Sequence, residues 1–469
     1  MMAGPAFVLG LPLLAAVLVY LLRRWAPLAA AVSALVAAAL AWMVWHWPPQ
    51  ATVLLPGRTL VMGQPVVLLG QELLFTPASQ PLLAFTCALA AVCFLYAGCI
   101  SQGRSFFPLG LVLLSLFNAT LLTQPLTRAP LLLAFAGALA VYVIQAGRPG
   151  STRGALRWLL FPALAFPFFL VAAWYLDQVP LNPDDPAPFA AAARLIAYGF
   201  LFLLMAVPLH GAVPALTVEA PPLVSAFLLL GHNGVVLYLL NALLRAYPWL
   251  VNYHDVSRWL LWLGLITAGW SGLLAVGQRE FGRLWGHASL FDFGCLLVAL
   301  GLGAPVGLPL AVSLFIARAA ALVLGAMGLA TLRHRAQGDS FQRAGGAARR
   351  LPWSVAALLA GGLALAGFPL TVGFPGHWTL WQYLGQQAPQ AALLLLLGTA
   401  GVIVGYLRGL RALLGPLHDR EVEREPPLAS GLAAILLLLC LLLCLRPQLL
   451  GELVSTVTAA LGSVAGVRL

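Results

Sequence analysis

The sequence predicts an all-α polytopic membrane protein of about fourteen transmembrane helices, and three observations carry that expectation. Of its 469 residues, 62% are hydrophobic and 8% charged, with a mean hydropathy of +0.96; soluble domains carry about 25% charged residues. The apolar runs extend over about 18–25 residues, the length a helix needs to cross a bilayer. They lack the alternation over about ten residues that marks the strands of a membrane barrel, the other architecture able to satisfy its backbone in lipid.

In chain order the spans fall at 5–22, 26–47, 80–101, 106–124, 129–146, 156–176, 188–208, 222–244, 257–277, 286–304, 308–332, 352–371, 388–414 and 427–446. The first lacks a preceding basic region and a cleavage site, so it reads as a span and not a removed signal. Residues 1–105 hold helices 1–3, and their segment 51–80, with Pro56-Gly57, Gly63-Gln64-Pro65 and short β-branched runs, reads as an extended hairpin at one membrane face. Residues 106–415 form the core. Residues 416–469 hold helix 14 and a tail that reads as a short amphipathic helix near the interface.

All 25 basic residues are Arg. Arginine keeps its proton where a buried lysine can exchange one, so any proton relay must use His, Asp, Glu and water. Loops after odd-numbered spans carry 17 of these arginines, among them Arg23, Arg148, Arg153, Arg333, Arg350, Arg411 and Arg420; loops after even spans carry 4, Arg58, Arg128, Arg245 and Arg258. The positive-inside rule then puts the odd loops in the cytoplasm of a prokaryotic inner (plasma) membrane, with both termini outside. The acidic stretch Asp177–Asp185 falls on the outer side in that scheme. The net charge of +11 does not point to nucleic acid, because the arginines sit singly between spans. Six cysteines within apolar runs show no metal-ligand spacing and read as small packing residues. No metal, cofactor or self-contained catalytic site is expected, since nucleotide-loop, haem and iron–sulfur patterns are missing.

An ionisable group in a span costs at least about 2.5–3.5 kcal/mol at the bilayer centre, so each marks a candidate polar pathway. His232 and Asn233 interrupt span 8 between two glycines. Asp292 sits in span 10, after Arg283 and His287; Arg318 lies in the middle of span 11; His377 follows Gly373-Phe374-Pro375-Gly376. Asp292 is the leading candidate for a proton-carrying carboxylate, with Arg318 as its counter-charge and His232 and His377 as exchangeable groups. Each has a plainer reading: His232 as a packing residue bonded to a carbonyl, Arg318–Asp292 as a static pair, His287 as an interfacial residue. Proline and glycine break span 7 at Pro208, His210, Pro214, Glu219 and Pro221, and break span 12 at Pro369 and Gly373. Two breaks five helices apart suggest two inverted five-helix repeats.

At those breaks the chain resembles a known family. His210-Gly-Ala-Val-Pro-Ala-Leu-Thr-Val-Glu-Ala-Pro221 is similar to the His-x-Trp-Leu-Pro-x-Ala-x-x-Glu-Ala-Pro motif of the antiporter-like subunits of respiratory complex I. Gly277–Leu284 with Ala288-Ser289 resembles their Gln-x-x-x-Lys-Arg-x-x-x-Tyr-Ser segment, and Gly367–Phe374 their Gly-x-Pro-x-x-x-Gly-Phe. The three occur in family order, and the resemblance covers roughly residues 100–415. It implies fourteen helices, inverted repeats with broken helices 7 and 12, and relatives among Mrp antiporters, membrane-bound hydrogenases and inorganic-carbon uptake systems. It also implies a mid-membrane chain of Glu and Lys, which this sequence lacks: the family's charged positions fall near Ala138, Leu203, Gly234, Ala320 and His377.

The expected function is therefore a membrane subunit of a complex I-like assembly, not catalytic alone. It would move protons or cations in concert with an NADH:quinone oxidoreductase-type or hydrogenase-type redox module. An ion-coupled partner of an inorganic-carbon uptake system and a non-conducting scaffold are the alternatives. Neighbouring membrane-arm or soluble subunits and the lipid bilayer are the expected partners. Arg408, Arg411 and the mixed-charge stretch His418–Glu425 form a face suited to a soluble one. Glu219 is expected to cap or orient the broken seventh helix and to pair with an arginine.

Overall fold

The computed structural model describes residues 2–55, 58–68, 70–147, 150–179, 185–253, 255–303, 305–416 and 422–462. Pro56-Gly57, Arg148, Asp184 within the acidic stretch, His418–Arg420 and the last seven residues of the tail lie outside the described residues. The helices are α1 (Gly4–Leu21), α2 (Ala26–His46), α3 (Gln80–Ala97), α4 (Phe106–Leu122), α5 (Ala129–Ile144), α6 (Arg153–Gln178), α7 (Pro186–Leu204), α8 (Ala212–Glu219) and α9 (Pro222–Ala246). They continue as α10 (Leu250–Tyr253), α11 (Val256–Val276), α12 (Phe281–Gly301), α13 (Gly307–Arg335), α14 (Pro352–Ala364), α15 (Phe374–Gln387), α16 (Pro389–Leu413), α17 (Pro427–Leu445) and α18 (Gly451–Leu461). Among the described residues twelve helices are long and apolar enough to cross a membrane, and Phe106–Leu122 and Pro352–Ala364 are shorter apolar helices. Proline stands in the first turn of most of them, where its missing N–H costs nothing.

Burial sorts the helices. In α9 and α12 94% of the apolar window is buried, against 17% in α17, so α9, α12 and α13 form the interior and α17 faces lipid. Small residues bring the backbones together, as usual where lipid gives helices no hydrophobic drive to associate. A Cβ on Gly264 of α11 would lie 2.6 Å from the Gly294 carbonyl oxygen of α12, and one on Gly272 would lie 2.4 Å from the Gly398 Cα of α16.

The single hairpin expected at 51–80 is in fact two. β2 (Thr52–Leu55) pairs antiparallel with β3 (Arg58–Val61), and β1 (Met2–Ala3) adds in parallel. β4 (Val66–Leu68) and β5 (Gln71–Leu73) form the second hairpin, joined by β6 (Thr123–Gln124). The strands therefore tie the start of α1, the end of α2 and the end of α4 together at one face. Span 12 breaks as expected but earlier than its expected end: the helix stops at Ala364, and a separate helix, α15, follows the break.

Candidate functional site

Both breaks are built from backbone that a regular helix cannot hold. α7 ends on Met205 in the left-handed region (φ 48°), with Pro208 three residues on, and the Val207 N–H donates to Thr267 Oγ1 at 3.1 Å instead of continuing the helix. α14 runs out at Gly367 (φ 66°) and Leu370 (φ 64°), flanking Pro369. Met205 and Leu370 each cost about 1–3 kcal/mol of backbone strain that the packing around them must hold. At Gly373 a Cβ would sit 1.9 Å from the Ala364 carbonyl oxygen, so only glycine lets α15 start this close to the end of α14.

The second break delivers His377 to the one buried carboxylate–guanidinium pair among the described spans. Asp292 Oδ2 accepts from Arg318 Nη1 at 2.7 Å, with the two side chains 3% and 1% exposed. The same guanidinium donates from Nη1 to the Ser289 carbonyl (2.7 Å) and from Nη2 to Ser289 Oγ (2.9 Å), and it lies over the Phe293 ring. Ser289 and Asp292 are three residues apart on α12, so one helical turn presents three acceptors to one arginine. His377 completes the group: Nδ1 donates to the Gly373 carbonyl at 2.9 Å, which leaves Nε2 facing Asp292 Oδ1 at 3.5 Å with no hydrogen bond of its own. Phe291 stacks on the imidazole and Trp381 leans against it. The sequence reading named Asp292, Arg318 and His377, and the structure brings all three together.

The other named residues do not join this group. His232 of α9 donates from Nε2 to the Leu203 carbonyl at 2.8 Å and meets Trp158 edge-on; its ring fixes the end of α7. Two residues on, the Cβ position of Gly234 lies 3.2 Å from Leu82 and Phe315, so apolar side chains fill the space near which the resemblance places a lysine. His287 is buried in the second turn of α12, and its Nδ1 has no hydrogen-bond partner. Arg283 is exposed at the start of α12. His210 lies in the first break, half-buried, its Nδ1 3.3 Å from the Pro208 carbonyl. Pro214 sits in the first turn of α8, and Pro221 is the residue before α9.

Glu219 caps a different helix from the one expected: its Oε2 accepts from the Gly154 N–H at 2.6 Å in the first turn of α6, and among the described residues no arginine pairs with it. A carboxylate there meets unpaired amides and the positive end of the helix dipole. The arginine at α8 is Arg333, whose Nη2 and Nη1 donate to the Thr217 (2.7 Å) and Ala220 (2.9 Å) carbonyls. Arg333 also pairs with Asp339 at 2.7 Å, and Asp339 Oδ2 accepts from the Gly282 N–H at the start of α12. The sequence reading counted Arg333 only as a loop charge and passed over Asp339. A basic residue in the last turn of α13, five residues before Gly338-Asp339, was the available signal.

With the geometry described, comparison with known proteins is direct. Residues 185–403 match the family described as NADH:quinone oxidoreductase/Mrp antiporter, TM. The chain is 27% identical over 351 residues to NADH-quinone oxidoreductase subunit N of Desulforudis audaxviator, a match covering 69% of this chain and 68% of that one. It is 31% identical over 228 residues to the subunit N of Chromohalobacter salexigens, covering 47% of this chain and 45% of the relative. In fold it is similar to a chain of the membrane-bound sulfane sulfur reductase, an archaeal respiratory membrane complex (TM-score 0.81, 17% identity, 99% and 98% of the two chains covered). It is likewise similar to a chain of respiratory complex I from Thermus thermophilus (TM-score 0.76, 20% identity, 98% and 100% covered). The chain is thus similar over residues 185–403 to the NADH:quinone oxidoreductase/Mrp antiporter membrane family and over two thirds of its length to subunit N, and it shares its fold with chains of complex I and of an Mrp complex.

Proposed function

We propose that this chain is a proton-translocating subunit of a complex I-like hetero-oligomeric membrane assembly coupled to a redox module. Its exchange site is Asp292–Arg318–His377, at the break between α14 and α15. The observation that carries this reading is His377 Nε2, buried, unpartnered and 3.5 Å from Asp292 Oδ1, with Nδ1 committed to a carbonyl. Without a proton, two acceptors face each other. With one, the contact becomes a charge-assisted hydrogen bond. Arg318 fixes the carboxylate through its other oxygen, so proton gain and loss fall on the Oδ1–Nε2 side. Transfer between the two needs only a small approach of the rings or one bridging water.

Unpartnered buried polar atoms mark the approach to this site. Trp285 Nε1, His287 Nδ1, Tyr406 OH, Thr399 Oγ1, Ser271 Oγ and Trp381 Nε1 all lie in α11, α12, α15 and α16. Buried polar groups in native proteins are satisfied by protein or by ordered water, so these helices offer a hydrated route. Among the described residues from 72 to 256 no buried side-chain nitrogen or oxygen lacks a partner. On this reading conduction is confined to the second half of the core, and His232 serves packing. The assembly sits in the plasma membrane with both chain termini outside, on the 17-to-4 arginine asymmetry. None of the relatives described above favours the inorganic-carbon alternative.

The test is energised proton flux in liposomes carrying the purified native assembly. Asp292→Asn and His377→Gln are each expected to lose flux with the assembly intact, while His232→Gln retains it. Wild-type flux in both of the first two variants would remove this group from the mechanism.

A further inference from the structure

We propose that a pocket between α7, α9, α10 and α11 binds an anionic phospholipid, its phosphate held by Arg194 and Arg258. Arg194 lies within α7, and the sequence reading left it out of both loop counts. It is exposed in a helix otherwise apolar enough to span the membrane. A lipid-facing guanidinium is costly unless it reaches water or a phosphate. Arg258 stands in the first turn of α11, also exposed. Both line a half-enclosed cavity of about 520 Å³. Among the described residues neither guanidinium has an acidic partner. The pocket's one carboxylate, Asp255, accepts from the Arg258 backbone N–H at 3.0 Å and so is taken up in capping α11.

The remaining lining has the character of a lipid–water boundary. Tyr198, Tyr253, Trp259 and Trp262 are exposed around the two arginines, the amphipathic rings that settle at headgroup level. Below them the wall is aliphatic. Leu240, Leu244, Val256 and Leu260 line this pocket and also a second, larger cavity of about 800 Å³ on the other side of the α9–α11 seam. That second cavity is almost wholly apolar, and α18 covers it with Leu453, Val457 and Leu461. α18 is in turn held by Asn241 Nδ2 and Arg245 Nη1, both donating to the Leu461 carbonyl. Two cations with no acidic partner among the described residues, beside an aromatic rim and with an apolar cavity next door, fit a phosphate headgroup and its acyl chain. A neighbouring protein helix would not need the paired charges at the rim.

The experiment uses the native assembly in nanodiscs of phosphatidylcholine doped with a photoactivatable phosphatidylglycerol or, in parallel, a photoactivatable phosphatidylcholine. Peptides from α7 and α11 are then read by mass spectrometry. Phosphatidylglycerol is expected to label them, and the Arg194→Gln/Arg258→Gln variant to lower that labelling roughly twenty-five-fold, about fivefold for each arginine removed. Leu240→Trp, which fills the seam and leaves both charges, is expected to lower it as well. Equal labelling by the two lipids, labelling unchanged in the double variant, or protein–protein crosslinks to these peptides that exclude lipid would each overturn the proposal.

Discussion

The Asp292–Arg318 pair supports a prediction about stability that is separate from transport. Arg318 spends its donors on Asp292 and twice on Ser289. Removing one partner of a buried pair leaves an uncompensated charge and costs about 3–5 kcal/mol, whereas replacing both by neutral groups of similar size is near neutral or stabilising. Asp292→Asn keeps one oxygen for Nη1, so its cost falls at the low end of that range. Arg318→Met leaves the carboxylate, 3% exposed, with only His377 to answer it. A single proton shared between the carboxylate and the imidazole then has to neutralise the site, so His377→Gln added to Arg318→Met is expected to cost far more than His377→Gln alone. The Asp292→Asn/Arg318→Met double variant is expected to unfold close to the wild-type temperature. Ranking thermal unfolding of the purified assembly by intrinsic fluorescence tests the order, provided scan rates are matched. If the double variant's loss equals the sum of the two single losses, the pair is not the desolvated unit described here.

Two further outcomes follow from side chains outside that pair. Glu219→Gln keeps an acceptor for the Gly154 N–H and is expected to leave flux unchanged, while Glu219→Ala loses the α6 cap and about 1 kcal/mol; flux lost in the glutamine variant would return Glu219 to the relay. Arg333→Ala strips the Thr217 and Ala220 carbonyls and removes one partner of Asp339, and charged hydrogen bonds of this kind are worth about 1.5–3 kcal/mol each. Faster amide exchange confined to α8 and the start of α12 is the expected signature, and exchange unchanged there would refute the clasp.

Composition alone made the helical membrane class legible, because lipid leaves the backbone few solutions. The breaks were legible too: Pro208, Pro369 and the glycines around them cannot continue a helix. Asp292, Arg318 and His377 stood out since each is a costly guest in an apolar run. What stayed hidden was contact between distant segments. Nothing local says that Glu219 reaches Gly154, 65 residues away, or that Arg333 grips α8 across 116 residues. The short strand at Met2–Ala3 was equally invisible, since it exists only because β3 is there to receive it.

The two halves of the core have taken different chemical courses. In the first, Glu219 is consumed as a helix cap, His232 is consumed by a carbonyl, and Phe315 and Leu82 occupy the space beside Gly234. The partners of Glu219 and His232 there are backbone groups, so neither shares a contact with a second titratable side chain as His377 does with Asp292. In the second half, on the proposed reading, Arg318 supplies the fixed positive charge two residues from Ala320, near which the resemblance places a lysine, and His377 supplies the exchangeable nitrogen. A lysine can play both parts, giving up its proton and taking it back; an arginine can play only the first. Dividing the roles between a permanent cation and a histidine is how a chain without lysine can still present a proton-accepting atom to a buried carboxylate. The histidine comes from the first turn of the helix after the break, where the Gly373 carbonyl accepts both the backbone N–H and Nδ1 of His377 and so turns Nε2 toward Asp292.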